Sequence, residues 1–174
     1  ATPRIQACPS GKYGASFGLT EAAQCTKCSA GKFGIGGGKT ADSQCVKCAA
    51  GTYSAQVGYA KCTGISSSCT SDTGWDHCTG KCPIGRFGTQ TGITAATQCK
   101  GECSAGRFGI GTGYSNDNQC TGRCSLGRFS NQTALTTESD CPLCHVGRFT
   151  DAIARTACSH CPIARYRNTT GATV

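Results

Sequence analysis

The apolar positions of this chain are thinly and regularly spread. Large aliphatic side chains are sparse, and most aromatic rings come singly, about twenty residues apart, each behind a basic residue. About ten small or polar residues follow each ring. The pattern predicts a series of short looped modules with little or no helix, because no segment offers a broad apolar face to bury.

The repeat unit reads Cys-x-x-Gly-[Lys/Arg]-[Phe/Tyr], a polar loop, a closing cysteine, a two- or three-residue spacer, and the next opening cysteine. Copies open at Cys8, Cys28, Cys48, Cys82, Cys103, Cys124 and Cys144. An eighth opens at Cys161, with Ala164 in place of the glycine, and reaches Val174 without a closing cysteine. Five loops span 17 positions from opening to closing cysteine, and those from Cys48 to Cys62 and from Cys144 to Cys158 span 14. Residues 63–81 break the pattern. They suggest three regions: a first sub-array of three modules over 1–62, an irregular joint over 63–81 with its own disulfide, and a second sub-array over 82–174 with four complete modules and one truncated.

With 17 cysteines in 174 residues, the chain has the composition of a disulfide scaffold from an oxidising, extracellular or cell-surface setting. Repetition of one bond per copy predicts Cys8–Cys25, Cys28–Cys45, Cys48–Cys62, Cys82–Cys99, Cys103–Cys120, Cys124–Cys141 and Cys144–Cys158. The joint closes on itself through Cys69–Cys78. Cys161 then needs a partner beyond this stretch or in another subunit. The alternative is an interlocked pattern in which one unit bonds across to the next. Each closed loop could contribute roughly 3 kcal/mol on the loop-entropy model.

The spacing Cys25-x2-Cys28-x16-Cys45-x2-Cys48 also fits a four-cysteine zinc site. Overlapping claims on the same cysteines along the array argue against it, and the expectation is no cofactor and no metal. The net charge of +8 comes from single basic residues, without the patch a nucleic-acid partner would need. A mildly basic surface suits acidic glycans or acidic protein faces, or serves solubility alone. No apolar stretch approaches the length of a membrane span. No catalytic motif occurs, and the expectation is a non-enzyme.

The Cys-Pro-x-Gly-[Lys/Arg]-[Phe/Tyr] signature with CxxC junctions, over residues 8–62 and 82–166, resembles the ephrin-receptor-like cysteine-rich repeat. It is also similar to the first half-module of tumour necrosis factor receptor cysteine-rich domains. The resemblance implies disulfide-closed loops with short β-hairpins, stacked end to end into a rod. The chain repeats the simplest half-module without the alternation that shapes receptor ligand sites, which favours a spacer or fibre.

Three features stand out as candidate sites. The cation–ring pairs (Lys12-Tyr13, Lys32-Phe33, Arg86-Phe87, Arg107-Phe108, Arg128-Phe129, Arg148-Phe149 and Arg165-Tyr166) would either form a ladder that grips glycans or a neighbouring subunit, or serve each module's own small core with the cation in water. Asn131-Gln-Thr and Asn168-Thr-Thr are N-glycosylation sequons at the same repeat position, seven residues after Cys124 and Cys161. Trp75, alone of its kind, is a possible contact residue if the joint binds a protein. The leading expectation is an extracellular structural glycoprotein, a rod-like subunit of a filament, cell-surface hair or matrix, that associates with itself or with other extracellular subunits. The alternative is the ectodomain of a receptor or adhesion protein that binds a protein ligand. Each module is expected to contact only its neighbours.

Overall fold

The computed structural model describes residues 6–61 and 78–173. It is a small disulfide-rich tandem array, with short hairpins and no α-helix among the described residues. Modules are numbered 1 to 8 by their opening cysteines, and positions are counted from that cysteine.

Each module begins with a four-residue turn. In module 1 the Lys12 amide donates to the Pro9 carbonyl at 3.1 Å, with Gly11 at φ 81°. A type II turn needs positive φ at its third residue, which explains the signature glycine. Ala164 accepts the same conformation in module 8, at φ 63°. The turn feeds a short strand made by the cation–ring pair. This strand pairs antiparallel with the junction before the next module, as in Lys12↔Lys27 and Tyr13↔Thr26. The same register recurs as Arg86↔Glu102 and Phe87↔Gly101.

The loop of the next module supplies a third, parallel strand. The pairings are Phe33↔Tyr59, Phe149↔Ala172 and the bridges Tyr13↔Lys39, Phe87↔Tyr114 and Phe108↔Leu135. Just before this strand, the residue ten positions after the opening cysteine sits at positive φ and donates its amide to the opening-cysteine carbonyl of the preceding module. The donors are Gly38, Gly58, Gly92, Gly113, Ala134, Ala154 and Gly171, and the acceptors are Cys8, Cys28, Cys48, Cys82, Cys103, Cys124 and Cys144, at 2.8–3.0 Å.

The loops also reach one module further, so contact is not confined to nearest neighbours. A Cβ added at Gly31, Gly85, Gly106 or Gly127 would lie 2.1–2.4 Å from the carbonyl oxygen of Gly92, Ala134, Ala154 or Gly171, two modules downstream. The signature glycine is thus required twice, for its turn and for the backbone that lies on it. Gly147 has nothing within 4 Å.

Disulfides join Cys8–Cys25, Cys28–Cys45, Cys82–Cys99, Cys103–Cys120, Cys124–Cys141 and Cys144–Cys158. Module 3 departs from the expected pairing, because Cys48 bonds to Cys78, 30 positions on, and not to Cys62. The expected Cys69–Cys78 bond is excluded with it. Strand register is the physical reason. Gly80–Lys81 pairs with Thr52–Tyr53 in the register used by the other junctions, which places Cys78 where a closing cysteine belongs. Residues 78–81 are therefore a regular junction and not part of a separate joint. Cys62, Cys69 and Trp75 lie outside the described residues. The chain forms two compact units, one of residues 1–81 with 90–98 and the other of 82–89 with 99–174.

Within each unit the core is mostly sulfur. Among the described residues, thirteen of the seventeen buried ones of apolar type are half-cystines; the others are Phe33, Ile93, Leu135 and Ala172. In the second unit, Leu135 packs with Cys124 and Cys141, and the Phe108 ring of the preceding module closes over them.

Replacing Gly106 by Ala forces a methyl into the Ala154 carbonyl and strains a left-handed turn, a combined cost of about 3 kcal/mol or more. Replacing Gly147 by Ala brings only the backbone strain, about 1–2 kcal/mol. Thermal unfolding of the two oxidised variants should show the Gly106→Ala midpoint well below that of Gly147→Ala; equal midpoints would refute the close approach.

Candidate functional site

Five of the signature cations reach back to their own loops. Lys32 Nζ meets Asp42 Oδ2 at 2.5 Å. Arg107 Nη1 meets Asp117 Oδ2 at 3.0 Å, and its Nε donates to the Cys120 carbonyl at 3.0 Å. Arg128 and Arg148 donate to the carbonyls of Cys141 and Cys158. Lys12 reaches the Ala22 carbonyl, and Arg86 pairs with Glu102 in the adjoining junction. The expectation that these cations simply face water is corrected, since five of them hold their own loops and Arg86 holds the adjoining junction. Arg165 and Tyr166 differ: both are exposed, and Tyr166 pairs with no strand among the described residues.

The rings also have an internal task. A Cβ added at Gly80, Gly101 or Gly122 would fall 2.2–2.3 Å from the ring of Tyr53, Phe87 or Phe108. Each of these glycines is the middle residue of a three-residue spacer, between Cys78 and Cys82, Cys99 and Cys103, or Cys120 and Cys124. The ring lies flat over the junction, and only glycine leaves room for it there. The Gly spacer after Cys78 is the sequence signal that marks that cysteine as the one closing module 3.

A second internal device precedes the closing cysteine. Gln24 Oε1 accepts from the amides of Thr20 and Glu21, at 2.6 and 3.1 Å, across the 3₁₀ turn Ala22–Gln24. Gln44, Gln98 and Gln119 repeat this with Thr40, Thr94 and Ser115. Asp140 takes the same place and accepts from Thr136 and Thr137, whose amides hold its carboxyl below the ordinary value. The recurrent Gln-Cys or Asp-Cys pair was a legible signal that the cysteine spacing overshadowed. Module 7, three residues shorter between its cysteines, has no 3₁₀ turn before Cys158.

Metal chemistry finds no open donors where the sequence offered a zinc template. Cys25, Cys28, Cys45 and Cys48 are all held in disulfides. Cys28, Cys45 and Asp42 do converge within 4.8 Å, but the two sulfurs are bonded to each other. Asp42 accepts from the Ser29 amide at 2.9 Å and the Ser29 hydroxyl at 2.7 Å, besides its Lys32 pair. Cys161 is a half-buried free thiol. Asn131 and Asn168 are both exposed, each just past its module's cation–ring pair.

No helix among the described residues is long and apolar enough to cross a membrane. No family model matches the chain, and no curated protein matches it.

The Lys32 hydrogen bond lowers the Asp42 pKa to about 2 against the opposing effect of burial, with help from the Ser29 hydrogen bonds. A depressed carboxyl pKa stabilises the folded state above the ordinary value near 3.8, and this contribution is lost as pH falls towards about 2. Asp42→Asn should therefore destabilise the protein at pH 7 by on the order of 1 kcal/mol, since the pair is partly wet. At pH 2 the variant and the parent should converge. A gap that persists at pH 2 would show that the carboxylate is not the source.

Proposed function

We propose that this chain is an extracellular structural glycoprotein, a repeat subunit of a filament, cell-surface hair or matrix, and not an enzyme. The observation that carries the reading is the use made of its polar groups. The signature cations Lys12, Lys32, Arg86, Arg107, Arg128 and Arg148, the carboxylates paired with them and the Gln-Cys amides are bonded within their own modules or to the adjoining junction. Backbone amides of seven loops are bonded to the module before. What chemistry the modules have goes into building the array.

The disulfides support an oxidising setting outside the cytosol. The two sequons support glycosylation. Asn131 and Asn168 are exposed at the same point of the repeat, where a glycan would stand off the frame without meeting the buried loop strand. Partners of this reading are other copies of the chain or other extracellular subunits.

Electron microscopy of native material should show ordered fibres, and treatment with an N-glycosidase should lower the mass of peptides carrying Asn131 or Asn168. Dispersed monomers that bind a cell-surface protein would overturn the filament role in favour of an adhesion ectodomain. Unshifted peptides would remove the glycoprotein element.

A further inference from the structure

The last residue of each junction stands across the strand pair from the cation position of the module just closed. In the first unit that residue is lysine at three consecutive junctions. Lys27 stands opposite Lys12, Lys47 opposite Lys32, and Lys81 opposite Thr52. All three are exposed, and none has a polar partner among the described residues.

Their stems are not loose. A Cβ added at Gly58 would lie 3.1–3.3 Å from the Cβ, Cγ and Cδ of Lys27, and one at Gly92 would lie 3.3–3.5 Å from the same atoms of Lys47. Each stem therefore covers the rung glycine of the loop that comes down on it, and both lysines lie on one face of the array. Elsewhere other residues stand at this position. Leu143 covers Gly171, with its Cδ2 2.7 Å from the Cβ direction, so the cover needs only an aliphatic stem. Glu102 neutralises the cation opposite it, at 2.9 Å from Arg86. The first unit uses neither solution. It sets lysine against lysine twice, and like charges placed directly opposite destabilise a strand pair. Glu21 and Asp42 are the only acidic side chains among the described residues of that unit, and Asp42 is already engaged by Lys32 and Ser29. Ammonium groups are thus held on one face, at a cost to the fold, with no internal counter-charge.

We propose that Lys27, Lys47 and Lys81 form a binding row for a linear carboxylated polysaccharide, a polyuronate that lays its carboxylates across successive junctions. The neutralised cations of this fold indicate the anion: Lys32 and Arg86 both take carboxylates, at 2.5 and 2.9 Å. A repeating polymer meets a repeating row in any register. The row is a set of separate point charges and lacks the apolar centre that a protein partner would bury. The disulfides belong to an oxidising setting, which sets nucleic acid aside. Lysine offers no bidentate fork, so the contact is reversible and sensitive to salt.

This inference takes only the extracellular setting from the filament reading. Fibres, present or absent, do not bear on it. The test is equilibrium binding of the 174-residue oxidised chain to polygalacturonate at low salt. The parent should bind, lose about tenfold or more in affinity as salt rises to about 0.5 M, and ignore the fully methyl-esterified polymer. The triple variant Lys27→Leu, Lys47→Leu and Lys81→Leu should bind about tenfold more weakly. Its melting temperature without polymer should be no lower than the parent's, because leucine keeps the cover and removes the repulsion. A control that removes the same charge elsewhere, Lys39→Gln with Lys100→Gln and Arg165→Gln, should stay close to the parent. Equal losses in the two triples would mean that net charge alone binds, and would overturn the proposal. So would a parent that does not bind, or a leucine variant that melts lower, since the ammonium groups would then serve the fold. In native material, carbodiimide coupling of amines to carboxylates should leave uronic acid on peptides carrying Lys27 or Lys47. An acidic peptide found there would overturn the polysaccharide in favour of a protein partner.

Discussion

A backbone amide, held in a left-handed conformation ten residues past each opening cysteine, bonds to the carbonyl of the opening cysteine one module earlier. The other contacts follow from that rung. It brings the next residue alongside the earlier signature strand, and it lays a carbonyl on the turn glycine two modules back. It also turns the loop so that the disulfide is sealed between modules. A chain with so few aliphatic side chains could not hold this arrangement through burial. Covalent closure removes much of the entropy that burial would otherwise have to offset, and the rungs then fix one module against the next.

The positions under most steric pressure are small residues, not large ones. The turn glycine must accept both a positive φ and a carbonyl at van der Waals distance. The sixth residue is glycine, serine or threonine in modules 1 to 7, and Gly34, Gly109 and Thr150 lie against the turn of the module before. Thr150, in that place, is almost wholly buried and accepts a hydrogen bond from the Gly127 amide at 2.6 Å. At the rung, alanine is admitted twice, as Ala134 and Ala154 at φ 59°, at the cost of a left-handed backbone.

The module type, the looped architecture and the scarcity of helix were legible in the spacing of cysteine, glycine and ring. Cysteine spacing alone misled at module 3, where Cys62 lies at the distance that Cys158 occupies in module 7. The junction glycine at Gly80 was the better guide, because it reports where a ring must lie and not merely how long a loop is. The second-neighbour packing was hidden for a different reason. It depends on backbone atoms, and glycine at the turn is already explained by the turn itself. The clamping cations were half legible: their regular placement was plain, but Lys12, Arg128 and Arg148 take carbonyl partners, which no sequence pattern displays.

The rungs have a direction. Each of the seven docked loops takes its acceptor from the module before it, and the four filled glycine slots belong to modules one step earlier still. During synthesis from the N-terminus, the loop of each emerging module would find those partners already made, while its own signature strand waits for the junction that follows. Order of appearance and order of contact coincide, so these contacts can be laid down progressively as the chain emerges.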